Sequence, residues 1–184
     1  MHYQEAIRSM KYIVSLFLTL VLASPTLAAE FKPAKTFKNA KLKAIVAAMK
    51  AFGTQYTGTG AYSITKKSPL KGRTEAERRR DTCKETLHRY SGAMLDEGID
   101  LRSVFKNEEG VKFALSYLTD FEQNDERPWP GLQKALSAAT SDKTLEVYAG
   151  TGGGNNTMAA MLCVYDTEND QVVYLILSNF GSDN

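Results

Sequence analysis

The chain has 184 residues, two cysteines, and 23 Lys and Arg against 21 Asp and Glu, a net charge of +2. Two isolated cysteines without CxxC spacing exclude a zinc site, and no internal repeat or low-complexity tract is present. The near-neutral total hides a split: residues 31–90 carry 15 basic against four acidic residues (net +11), and residues 91–184 carry six against 15 (net −9). Such asymmetry marks a surface for an anionic partner, or two halves that pack together and neutralise each other.

Residues 1–28 have the order of a secretory leader: a positive charge at Lys11, an apolar run from Tyr12 to Ala23, the breaker Pro25, and small residues at Ala28 and Ala29. The run is about 12 residues, where a spanning helix needs about 20, so a signal peptide is expected rather than an anchor. Cleavage is expected after Ala28, within Thr26-Leu27-Ala28, and no Cys at the junction offers a lipid anchor. Met10-Lys11 makes a more natural start than Met1, which leaves residues 1–9 as an over-called start. The expected product is one mature domain over residues 29–184, periplasmic or secreted, with no transmembrane segment and no nucleic-acid partner.

Residues 30–40 read as a basic, loosely ordered arm. Leu42, Ile45, Val46, Met49 and Phe52 then share one helical face, with Asn39 as cap and Gly53 as stop. Residues 53–72 are rich in Gly, Thr and Ser and fit either a short strand near Ala61–Thr65 or an irregular loop. Thr74 and Glu77 form a capping box, opening a helix whose inward stripe is Cys83, Leu87, Tyr90 and Met94, ended by Gly98. A third helix is expected over residues 108–121, capped by Asn107, with Val111, Ala114, Leu115 and Leu118 inward. Pro130 is placed to open a short helix to about Ala138, with Trp129 before it as a core plug.

The last 40 residues change character. Strands are expected at Thr144–Ala149, Met158–Tyr165 and Gln171–Ser178, joined by the glycine-rich turn 150–157 and the acidic turn 166–170 as antiparallel hairpins. Val172–Leu177 is apolar on both faces, which makes it the central strand. Cys163 lies beside it, so a disulfide to Cys83 would pin the second helix to the sheet. The fold class expected is α+β: three to four N-terminal helices packed on one face of a small C-terminal antiparallel sheet.

Catalytic constellations are sparse. The glycine segment lacks the Lys and following helix of a phosphate-binding loop; as a hairpin turn, Gly152, Gly153, Gly154, Asn155 and Asn156 form a candidate binding loop. Asn155-Asn156-Thr157 fits a glycosylation sequon, discounted because the leader reads as bacterial. His88 is the only histidine outside the leader, five residues from Cys83 and poorly placed to share its helical face. No Gly-x-Ser-x-Gly elbow supports a serine nucleophile. Asp96, Glu97, Glu108, Glu109, Asp120 and Glu122 are candidate paired carboxylates, though nothing selects one pair. Asp166, Glu168 and Asp170 hint at calcium but lack the Gly and distal Glu of an EF-hand.

Arg78, Arg79 and Arg80 are candidate contacts for an anionic surface, though consecutive residues spread around a helix and Glu75, Glu77, Asp81 and Glu85 interleave with them. The function expected is therefore a small exported, non-catalytic binding protein without cofactor or metal. Its partner would be a protein or an anionic envelope component, and inhibition or neutralisation of an envelope protein is one form of that role. The alternatives are an envelope hydrolase acting on glycan or peptide, using His88 or a carboxylate pair, and a subunit of a larger envelope assembly.

Overall fold

The computed structural model describes residues 29–52, 57–69, 72–91, 98–103, 108–119, 129–154 and 157–180. The leader, Gly53, Met94, Asn107, Asn155, Asn156 and, of the candidate carboxylates, Asp96, Glu97, Asp120 and Glu122 lie outside them. In chain order the elements are β1 (Glu30–Pro33), α1 (Ala40–Lys50), β2 (Thr57–Lys66), α2 (Glu75–Ser91), β3 (Ile99–Ser103), α3 (Glu108–Thr119), α4 (Trp129–Ala139), β4 (Leu145–Gly154), β5 (Thr157–Asp166) and β6 (Gln171–Phe180). One six-stranded sheet has the order β1-β2-β6-β5-β4-β3, with every neighbouring pair antiparallel.

This corrects the expected arrangement of helices first and a C-terminal sheet after them. Three of the six strands precede α3 and interleave with the helices, and the helices cover both sheet faces. The physical reason lies in β5 and β6. Ala159, Met161, Cys163 and Tyr165 point to one face of β5, Ala160, Leu162 and Val164 to the other, and all are fully buried. A sheet apolar on both faces must be covered on both. On one face α1, α3 and α4 supply Leu42, Ile45, Val111, Leu118, Leu132 and Leu136. On the other, α2 supplies Cys83 and Leu87 against Met161, Tyr165 and Tyr174.

Local signals account for the helix starts. Asn39 Oδ1 accepts from the amides of Lys41 and Leu42 at 2.9 and 3.1 Å. Glu77 N donates to Thr74 Oγ1 at 3.2 Å while Thr74 N donates to Glu77 Oε2 at 2.7 Å, the reciprocal bonds of a capping box. Trp129 begins α4 and packs edge-on against Phe52, their rings 5.0 Å apart, on the margin of the larger core. The arm at residues 30–40 is not wholly loose: Glu30–Pro33 pairs with β2 as an edge strand.

The glycine segment also differs from the turn expected of it. Gly150–Gly154 continue β4, paired with β5 throughout and, from Gly150 to Gly152, with β3 as well. A Cβ at Gly150 would stand 1.8 Å from the Asp100 carbonyl oxygen. Glycine is therefore what lets β3 lie against β4 there. Among the described residues no helix is long and apolar enough to cross a membrane.

Cys83 and Cys163 form a disulfide, with Cα atoms 6.1 Å apart and 80 positions between them. It joins α2 to β5, the helix-to-sheet staple expected from sequence. Thiol titration of the denatured, unreduced protein should find no free sulfhydryl; two per chain would contradict the bond. The Cys83→Ser/Cys163→Ser variant should lose about 2–4 kcal/mol of stability in denaturant unfolding. Gly150→Ala should cost about 1–3 kcal/mol by the same measurement, because the obstruction is backbone; an unchanged midpoint would show that β3 shifts freely.

Candidate functional site

A cleft of about 900 Å³ opens on the α2 side of the sheet, near the β3 edge. Ala76, Glu77 and Arg80 of α2 form one wall, residues 100–103 of β3 another, and residues 140–143, the turn from α4 into β4, a third; Leu145, Glu146 and Tyr148 of β4 complete it. The alternation of β4 places Glu146 and Tyr148 on the α2 face, while Leu145 and Val147 enter the opposite core.

A polar network ties α2 to β4 at this site. Arg79 grips Glu146 with both arms of its guanidinium, Nε to Oε2 and Nη2 to Oε1, each at 2.7 Å. Tyr148 OH donates to Glu146 Oε2, also at 2.7 Å. Burial first, and then the neighbouring carboxylate, push the Tyr148 hydroxyl pKa well up, so Tyr148 stays a donor.

The other carboxylates of the cleft are also engaged. Asp142 accepts from Thr144 Oγ1 at 2.7 Å, Thr144 N at 3.0 Å and Asn39 Nδ2 at 3.1 Å. Its bond from the Thr144 hydroxyl holds it below the usual carboxylate range, against the opposing effect of burial. Glu77 is held low by the Thr74 amide and then the Thr74 hydroxyl. Asp100 lies 3.7 Å from Arg102, both exposed. Arg80 differs: it forms no ion pair or hydrogen bond among the described residues, and its Nε is shielded from solvent without a partner.

The three arginines of the sequence reading part company here. Arg78 is buried beneath α2, its Nε 3.0 Å from Glu75 Oε2; Arg79 is spent on Glu146; Arg80 alone lines the cleft with its charge unpaired. Gly152, Gly153 and Gly154 are strand residues of β4. Gly154 is six residues beyond Tyr148, about 20 Å along the strand, so the glycines and the arginines do not form one surface. Asn155 and Asn156 lie outside the described residues.

His88 is exposed and does not line the cleft. Cys83 is consumed by the disulfide. In the acidic turn, buried Asp166 accepts from the amides of Glu168 and Asn169 at 3.0 and 3.1 Å, and Asp170 meets Lys67 Nζ at 2.7 Å. These oxygens stabilise the hairpin, and no cluster suited to a metal occurs among the described residues. The sequence reading missed Asp100, Arg102, Lys143, Glu146 and Tyr148, because β3 went unrecognised and single charges in short turns carry no periodic signal. The one available hint was Glu146, an acidic residue on the face of β4 that Tyr148 shares.

No protein-family description, curated protein or solved structure matches the chain.

Removing Glu146 should leave Arg79, only one-fifth exposed, without its acceptor. Glu146→Ala should therefore destabilise by about 1–3 kcal/mol, and Tyr148→Phe by about 0.5–1.5 kcal/mol. Chemical denaturation of both variants checks this, and equal, negligible effects would mean that the network does not hold α2.

Proposed function

We propose that this chain is a small exported protein, periplasmic or secreted, that binds an anionic partner without catalysis and does so through the cleft between α2, β3 and the α4–β4 turn. The observation that carries this reading is the state of the charges there. Glu77, Asp142 and Glu146 already accept hydrogen bonds from the chain's own donors, while Arg80, on the cleft wall, forms no ion pair or hydrogen bond among the described residues. A volume of about 900 Å³ lies within the size of pockets that accept small ligands or an inserted partner group.

Export draws support from the leader pattern and from the disulfide, which persists in oxidising compartments. The surroundings of Ala29 add to it. Ala29 is buried, its nitrogen lies 3.3 Å from Glu85 Oε2, and its carbonyl accepts from Arg89 Nη2 at 3.4 Å. Cleavage after Ala28 would turn that nitrogen into an ammonium group, to which the Glu85 carboxylate is well suited. The hydrolase alternative has less behind it, since His88 stands apart from the cleft and the cleft carboxylates are engaged.

The test is retention of a partner from envelope extract on immobilised protein. Retention is expected at low salt, with release as ionic strength rises and loss in Arg80→Glu. No retained partner at any salt, or retention indifferent to Arg80→Glu, would remove the basis of this reading.

A further inference from the structure

We infer that the group recognised in the cleft is a phosphate, with Arg80 as its principal donor; this rests on the binding reading above and specifies its chemistry. Arg80 lines the open cleft and forms no ion pair or hydrogen bond among the described residues; its Nε is shielded from solvent, so the terminal N–H groups of its guanidinium are the donors left for a ligand. The other donors come from different walls: Ser103 from β3, paired with Tyr148 and so on the same face, and Ser141 and Lys143 from the α4–β4 turn. Lys143 has no ion pair or hydrogen bond among the described residues. Ser141 Oγ accepts from Lys41 Nζ at 3.1 Å, which leaves its own hydrogen to donate.

Donors that surround a volume suit a tetrahedral anion, which accepts in every direction; a planar carboxylate is met by a single guanidinium fork. The acidic residues of the cleft oppose this only weakly. Glu146 is neutralised by Arg79, Asp142 has Lys41 Nζ at 3.9 Å, and Asp100 is exposed beside Arg102. Glu77, also exposed, feels the Arg80 charge across solvent, where charges interact weakly.

A phosphate can come from a soluble ester or from a lipid headgroup, and the two are separable. Inorganic phosphate and glycerol 3-phosphate are titrated into the purified protein at low ionic strength, following backbone amide shifts. Saturable shifts are expected at Ser103 and residues 140–143, with a Kd raised at least tenfold in Arg80→Gln and about threefold or more in Lys143→Gln. Lys112→Gln, on exposed α3 away from the cleft, should bind within twofold of the parent, and thermal melts of all three variants establish that they fold. Co-sedimentation with phosphatidylglycerol but not phosphatidylcholine vesicles, abolished by Arg80→Gln, would assign the lipid source; binding of the soluble esters alone would assign the other. Absence of saturable shifts with both soluble phosphates and of vesicle binding overturns the inference, as does phosphate binding that a folded Arg80→Gln retains. If Arg80-dependent retention of an envelope partner survives while no phosphate probe binds, the phosphate is wrong and the binding reading stands.

Discussion

The covalent bond between Cys83 and Cys163 is the constraint on which the arrangement of α2, and with it the cleft, depends. The helix buries few aliphatic side chains of its own, and its aromatic hold, Tyr90 stacked on Tyr62 at 3.9 Å, lies at its C-terminal end. Its buried positions are Arg78, Thr82, Cys83, Thr86 and Leu87, so only two of the five are hydrophobic. Thr82 and Thr86 turn their hydroxyls back onto the carbonyls of Arg78 and Thr82, each at 2.8 Å, which satisfies them but adds no grip on the sheet. Burial of one leucine is worth about 1.5–3 kcal/mol, little against the entropy of ordering a 17-residue helix. The disulfide supplies the missing attachment at the middle of the helix, and the Arg79–Glu146 fork fixes its N-terminal half. The wall that carries Arg80 is placed by those two links.

The opposite face of the sheet works differently. There α1, α3 and α4 present continuous aliphatic stripes to Val147, Leu162, Val164, Val173 and Leu175, and no covalent tie is needed. The two layers thus divide the labour by their chemistry. An aliphatic layer contributes most of the burial that stabilises the domain, and a single polar, stapled helix leaves room at its N-terminal end for an open, charged cleft. A helix with a broad apolar stripe in the place of α2 would close down on β4 and fill that space.

What could be read from the sequence followed the strength of each local signal. The stripes of α1, α3 and α4, the Thr74–Glu77 box, the strands around residues 145–178 and the disulfide all rest on side chains whose spacing is repeated or whose chemistry is unambiguous. The three strands that precede α3 rest on neither. β1 sets Phe31 between Glu30 and Lys32, β3 alternates Ile99 and Leu101 with Asp100 and Arg102, and β2 contains Gly58 and Gly60. Short charged edges are how a sheet avoids pairing with other chains, and that protection is also what makes them resemble loops in sequence. Gly60 has a second cause: a Cβ there would fall 2.6 Å from the Tyr174 ring, so the residue is dictated by a neighbour 114 positions away. Gly150 reads as a turn for the same kind of reason. The site was legible only at Arg80, since its other walls come from β3 and from a turn that local pattern does not distinguish.

The opposed charge of the two halves finds its explanation in this geometry. Among the described residues three ion pairs join the basic half to the acidic one: Lys41 to Asp142, Lys67 to Asp170 and Arg79 to Glu146. Two of those acidic partners, Asp142 and Glu146, line the cleft. Part of the split is thus neutralised between the halves, and the cleft wall carries acidic residues beside basic ones. The surplus matters where it is local. In a helix, Arg78, Arg79 and Arg80 point about 100° apart, so one is carried under the helix, one to the β4 carboxylate and the third to the open side. Among the described residues only the third forms no ion pair or hydrogen bond, and the same twist that scatters the arginines is what sets it on the wall of the cleft.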